Sequence, residues 1–192
     1  MPEIHPYFPY ETVRPIQKEL MEDALKALEE GKVLIAHAPT GLGKTASALV
    51  VALDKALKKK KMVFFLTNRH TQHRIAIETL KLMRERKKIN VPTVDMIGKR
   101  GMCSQAVAQM FGNEFNEYCK TIVEKGECEY YNNVRENKRG LTIEAKVFLK
   151  ELKKEGPLHT EEVMEGCAGK KMCAYELSLG MAKEAVVFIG DY

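Results

Sequence analysis

Tryptophan is absent from the 192 residues, and no apolar run approaches the ~18 residues that a membrane span requires. The opening stretch, Met1 to Tyr10, lacks the basic-then-apolar build of a signal peptide, so a soluble, cytoplasmic protein is expected. Internal repeats and low-complexity segments are missing too; Lys58 to Lys61 comes nearest, and reads as a solvated helix end favoured by the helix dipole. Cysteine is confined to the window from Cys103 to Cys173, and within it no C-x-x-C pair occurs. That excludes the common zinc-ribbon and zinc-finger patterns, and the compact ferredoxin spacings are absent as well.

What is present describes a folded globular chain: 45% apolar and 30% charged residues. The length allows one core and a small second lobe. A net charge of +5 leans towards polyanionic partners, but so mild an excess is also what a solvated Lys/Glu-rich surface gives.

The order of elements reads as an open α/β sheet that is interrupted. Arg14-Pro15 starts a helix with apolar positions Leu20, Met21, Ala24, Leu25 and Leu28 at helical spacing, and Gly31 ends it. Val33 to Ala36 is a short apolar run of the kind expected for a buried parallel strand. Further helices are expected over residues 45–57 and 72–86, and strands over 62–66 and 91–97. Alternation of this kind predicts right-handed βαβ units on a parallel sheet. At Gly98 the pattern breaks. Residues 99–174 hold every cysteine and one clear helix, 142–154, before a helix at 175–183 and an apolar strand at 185–189 resume the sheet. Three regions follow: 1–98, the insertion 99–174, and the return 175–192.

The segment IAHAPTGLGKT, residues 35–45, lies between an apolar run and a helix, the context that gives a phosphate-binding loop its meaning. Gly41 and Gly43 let successive N–H groups turn inward around an anion, and the following helix aims its positive end at it. Lys44 is placed to reach the β- and γ-phosphates of ATP, and the Thr45 hydroxyl to ligate Mg²⁺; these two are the expected catalytic residues. Pro39, Thr40 and Leu42 complete the loop. Ala38 stands where Gly is usual, and a small residue suffices there.

The form A-P-T-G-L-G-K-T resembles the loop of superfamily-two helicases. Two neighbours strengthen the resemblance. Arg14 to Gln17 is similar to the short element that reads adenine, since the Gln17 amide can both donate and accept; Tyr10 and Phe8 are aromatics that either stack on the base or staple the core. Thr67, Asn68, Arg69 and Gln72 follow the second strand, at the carboxyl end where ligands of parallel sheets lie, and resemble a DNA-contacting helicase motif; an ordinary helix cap is the plainer reading.

Spacing alone, C-x15-C-x8-C with Cys167 and Cys173 further on, supports a four-thiolate site without choosing between iron–sulfur and zinc. The order of loop, third strand and cysteine insertion resembles the XPD/Rad3 and DinG group of iron–sulfur helicases. Gly98 to Cys103 is similar to the basic lead-in to that group's first ligand, Cys119 to the second, Cys128 with Tyr130 and Tyr131 to the third, and Cys173-Ala174-Tyr175 to the fourth, without its proline. That departure leaves Cys167 as the alternative fourth ligand. The resemblance implies a RecA-like parallel sheet, incomplete here, interrupted by a small, mostly helical or irregular iron–sulfur domain. It also implies a 4Fe-4S cluster, 5′-to-3′ movement on single-stranded or forked DNA in repair, a monomer, and DNA or cluster contacts by Lys99 and Arg100.

In that family a DEAH box, an arch and a second motor domain follow. None occurs up to Tyr192, so these residues are expected to bind nucleotide weakly and to hydrolyse it negligibly, with the rest of the helicase as partner. Two other readings remain open: a DNA-binding module with a structural or redox-sensing cluster, and a zinc-bearing P-loop ATPase acting elsewhere.

Overall fold

The computed structural model describes residues 6–39, 41–136 and 140–192. Helix α1, Pro15–Glu30, begins with Pro in its first turn and stops at Gly31, whose φ of 66° favours a residue without Cβ. It is followed by α2 (Lys44–Lys59), strand β1 (Val63–Leu66), α3 (His70–Lys87) and β2 (Thr93–Met96). The insertion then runs through a 3-10 turn at Ala106–Gln109, α4 (Gly112–Glu124), α5 (Glu129–Asn132) and a short antiparallel pair, β3 (Arg135–Glu136) and β4 (Gly140–Leu141). Helices α6 (Ile143–Glu155), α7 (Thr160–Gly169) and α8 (Ala174–Ala182) lead to β5 (Val187–Gly190).

Among the described residues the main sheet has three strands in the order β1-β5-β2, all parallel. Val63 and Thr93 both lie opposite Val187, and Phe65 and Asp95 both lie opposite Ile189. The expected α/β class with a parallel sheet is what forms. Strand β5, last in the chain, takes the central place, so the cysteine-bearing insertion is the crossover between neighbouring strands β2 and β5.

The two faces of the sheet serve two cores. Val187 and Ile189 join Leu49, Val50, Leu53, Ile77, Leu80 and Met83 of α2 and α3, with Phe8 and Met21. Val94 and Met96 join Phe148, Leu149 and Leu152 of α6, Val163 and Cys167 of α7, and Leu177 and Met181 of α8. Helices of the insertion therefore cover one face of the sheet. Ion pairs stitch α3 to α7 along the seam: Arg74 to Glu161 and Lys81 to Glu162, each at 2.7 Å. Arg84 adds hydrogen bonds to the last carbonyls of α6, those of Lys154 and Glu155. No helix among the described residues is long and apolar enough to cross a membrane.

One expected strand does not form. Val33 to Ala36 is outside any strand, with Val33 89% and Ile35 92% exposed. An apolar run becomes a strand only where a neighbouring edge takes its hydrogen bonds, and no described strand pairs with it. The flank of β1 is open in the same way, with Phe64 63% exposed. Inside the insertion, α4 and α7 were not expected; α4 carries Phe115, Tyr118, Cys119, Ile122 and Val123 at helical spacing, a periodicity that could have revealed it.

Candidate functional site

The loop before α2 is built as its glycines require. Gly41 has φ 79° and Gly43 φ 86°, and Gly43 is the N-cap of α2, which places Lys44 and Thr45 in the first turn. A Cβ on Gly43 would stand 2.3 Å from Nε2 of Gln17. That close approach has a purpose: buried Gln17 donates through Nε2 to the Leu42 carbonyl at 2.7 Å, while its Oε1 accepts from the Arg14 N–H at 3.0 Å. The Arg14 guanidinium donates to the Gly41 carbonyl at 3.0 Å. Lys44 is folded onto its own loop, with Nζ 2.7 Å from the carbonyls of Ala38 and Pro39. Thus Arg14, Gln17, Gly41, Leu42, Gly43 and Lys44, read from sequence as one nucleotide site, meet in space. Thr40 lies outside the described residues. Phe8 is fully buried and belongs to the core, whereas Tyr10 is 42% exposed and packs edge-on against it at 5.6 Å.

At the carboxyl end of the sheet, Thr67 donates its N–H to the Gly190 carbonyl at 3.0 Å, and its hydroxyl accepts from the Arg69 N–H at 3.3 Å. Arg69 is the extended N-cap of α3, and Asn68 and Arg69 are exposed. Gln72 follows on the first turn, partly buried. The same strand ends carry His70 and His73 on α3 and Asp95 on β2, none of them singled out by the sequence, together with Asp191 after β5.

The cysteines divide four to one. Cys103, Cys119, Cys128 and Cys173 line one small, apolar cavity of about 30 Å³ with Lys99, Met102, Phe115 and Tyr130. Cys103 ends a tight turn closed by its N–H on the Arg100 carbonyl, Cys119 lies in α4, and Cys128 and Cys173 are the N-caps of α5 and α8. The Cys173 N–H donates to the Tyr130 carbonyl at 2.9 Å, which ties the Cys173 segment to the turn of helix that follows Cys128. Cys167 is absent from this cavity and fully buried in the α6–α8 core.

Burial pushes the Cys103 thiol above its ordinary pKa and the Cys173 thiol up to about 11. Cys167, also desolvated, is pushed up to about 12. Burial works against the Lys99 ammonium, but the charges of Cys119, Glu176 and Cys173 and a hydrogen bond to Cys119 outweigh it and hold it above the ordinary lysine value. Lys99 also sits 5.6 Å over the Tyr175 ring, and Arg100 donates to the Met110 carbonyl at 3.0 Å. Among the described residues no group of three or more His, Cys, Asp or Glu stands ready to hold a metal ion. A metal site was expected from the sequence; four of the candidate thiols share this one apolar cavity, with Cys167 outside it.

A family profile described as DEAD_2 matches residues 65–192, and one described as DEAD/DEAH box helicase matches residues 14–109. A probable ATP-dependent helicase of Methanocaldococcus jannaschii is 32% identical over 129 residues, which cover 67% of this chain and 18% of that protein. The XPD helicase subunit of general transcription and DNA repair factor IIH from Dictyostelium discoideum is 22% identical over 204 residues, 97% of this chain and 25% of that protein. A solved structure of a truncated XPD superposes with a TM-score of 0.58 at 22% identity, covering 91% of this chain and 44% of that one. The chain thus spans a quarter or less of the length of these curated relatives.

Proposed function

The chain belongs to the DEAD_2 family of DEAD/DEAH-box helicases, in XPD-like form, and from that premise we propose that it is the nucleotide-binding and DNA-contacting portion of a 5′-to-3′ DNA helicase. The observation that carries the reading is the meeting of Arg14, Gln17 and the loop 41–44 ahead of α2. In this reading the loop N–H groups and the start of α2 receive the β- and γ-phosphates of ATP. Lys44 leaves the carbonyls of Ala38 and Pro39 for the phosphates, and Thr45 supplies its hydroxyl to Mg²⁺. Gln17 holds the loop from behind, both ends of its amide taken by the Leu42 carbonyl and the Arg14 N–H, while Arg14 and exposed Tyr10 would face adenine.

Single-stranded or forked DNA would run along the strand ends, over Thr67, Asn68, Arg69 and Gln72, towards the basic turn at Lys99 and Arg100. Hydrolysis needs a carboxylate to hold Mg²⁺ and water and an arginine at the γ-phosphate, so residues 1–192 bind ATP while turning it over negligibly. The partner is the rest of the helicase, and the unit is monomeric.

The donor set at the cavity, four thiols brought together from four segments, suits a 4Fe-4S cluster. Cys103, Cys119, Cys128 and Cys173 would hold it, and Lys99 would balance its negative charge. Once bound, such a cluster cross-links four segments of the insertion and adds a redox-active group. Cys167, being core, is left out.

Nucleotide binding to the 192-residue chain tests the reading, followed by calorimetry with a non-hydrolysable ATP analogue and Mg²⁺. Binding that is lost in Lys44→Ala supports it. Equal binding by Lys44→Ala, or fast DNA-stimulated turnover by the chain alone, overturns it.

A further inference from the structure

His73 lies in the first turn of α3 with its side chain fully buried, and each of its ring nitrogens faces a carboxylate. Nδ1 is 2.6 Å from Oδ1 of Asp95, whose side chain is also fully buried. Nε2 is 3.2 Å from Oδ1 of Asp191, directly after β5. Asp95 is fixed from a third element: its Oδ2 accepts from the Thr160 N–H at 2.9 Å, and its carbonyl accepts from the Thr160 hydroxyl at 3.1 Å. The other charged groups around the cluster are His159 at the head of α7, 3.7 Å from Asp95 Oδ2, and His70 of α3, 3.7 Å from Asp191 Oδ2. Glu161 of α7 lies 3.8 Å from His159 and is paired with Arg74 of α3.

Donor counting makes this arrangement unusual. A neutral imidazole has one N–H and one lone pair, while a carboxylate only accepts. Two carboxylates, one on each nitrogen, are both satisfied only when both nitrogens carry a proton. The short contact and the buried, anchored Asp95 commit the Nδ1 proton. Nε2 is the open end: buried, within ion-pair distance of Asp191, yet in no aligned hydrogen bond. Asp191 is 37% exposed, so it can complete the bond or swing into water.

We propose that the Asp95–His73 pair is a proton-dependent catch for Asp191, and that His73 is thereby a positioning residue for the carboxyl end of β5. With Nε2 protonated, His73 donates to Asp191 and pins the turn after β5 against α3. With Nε2 bare, lone pair faces carboxylate and Asp191 is released as pH rises. The Gly190 carbonyl that receives the Thr67 N–H is next to this catch, so its state is transmitted to the turn at Thr67–Arg69. Any effect on DNA rests on the function proposed above; the catch itself does not.

The test is a pH titration of the ¹⁵N-labelled 192-residue chain by NMR, reading the His73 ring nitrogens and the backbone amides of Gly190 and Asp191. The expected result is that the amides move together with the loss of the Nε2 proton. In Asp191→Asn the side-chain amide donates to a bare Nε2, so the catch stays closed and the amide movement is lost, while Asp191→Ala leaves the amides in the released position at every pH. Amides that titrate independently of His73, or that titrate unchanged in Asp191→Asn, overturn the proposal. Single-stranded DNA affinity measured on the same samples separates the two ideas: no DNA binding at any pH defeats the functional reading and leaves the NMR result standing.

Discussion

Replacing Gly43 by Ala should be far more damaging than replacing Gly41, although both glycines sit in the same loop with nearly the same backbone. Each has a left-handed φ, 79° at Gly41 and 86° at Gly43, which costs a residue with Cβ about 1–2 kcal/mol. Around Gly41 a new Cβ meets nothing within 4 Å. At Gly43 it meets Nε2 of Gln17 at 2.3 Å. Gln17 must move, which breaks its 2.7 Å bond to the Leu42 carbonyl and leaves a buried amide unpaired, at a further cost of about 1–3 kcal/mol. Urea unfolding followed by circular dichroism should therefore show a loss of about 1–2 kcal/mol for Gly41→Ala and about 2–5 kcal/mol for Gly43→Ala. The double variant with Gln17→Ala sharpens the test, because the clash vanishes once the amide is gone and the losses cease to add. Equal losses at the two glycines, or strict additivity of Gly43→Ala with Gln17→Ala, would refute the claim that Gln17 props the loop.

Other contacts predict graded effects. The Arg135–Glu176 pair is largely buried at 2.8 Å, so Glu176→Ala strands a buried guanidinium and should cost about 3–5 kcal/mol, whereas Glu129→Ala breaks an exposed pair with Lys171 and should cost at most about 1 kcal/mol. Burial raises the Glu162 pKa, but the bonds from the Lys81 ammonium and the His159 N–H outweigh it and hold it below the ordinary value. A depressed folded pKa means that the stabilisation is present above the unfolded value of 4.5 and is lost as pH falls through the folded one. Glu162→Gln should accordingly lose less than about 1 kcal/mol at neutral pH, since the pair is partly exposed, with the difference from wild type vanishing on the acid side. Denaturation midpoints measured across pH check both.

What the sequence made legible follows from how local each cause is. Helix α1 was readable because Pro15 and Gly31 mark its ends and the apolar spacing fills it. Helices α2 and α3, and strands β1, β2 and β5, emerged within a few residues of expectation for the same local reasons. Val33 to Ala36 misled because strand formation needs a second edge, which composition cannot reveal. The loop 41–45 was legible since its chemistry is contiguous, and Gln17 was found through resemblance, while its hydrogen bond to Leu42 spans 25 positions and no pattern encodes it. Spacing supported a four-thiolate site, but the choice of Cys103, Cys119, Cys128 and Cys173 over Cys167 came from resemblance. The meeting of His73 and Asp95 with Asp191 was missed because three separate elements bring them together, and a buried histidine is silent in a hydropathy pattern.

Iron and sulfide content after anaerobic purification decides whether the four cavity cysteines of this XPD-like helicase portion hold an iron–sulfur cluster. The expected result is a brown chain with about four irons and four sulfides, retained by Cys167→Ala and lost by single Ala substitution at Cys103, Cys119, Cys128 or Cys173. A colourless zinc protein, or a brown one that Cys167→Ala bleaches while Cys173→Ala does not, would contradict it.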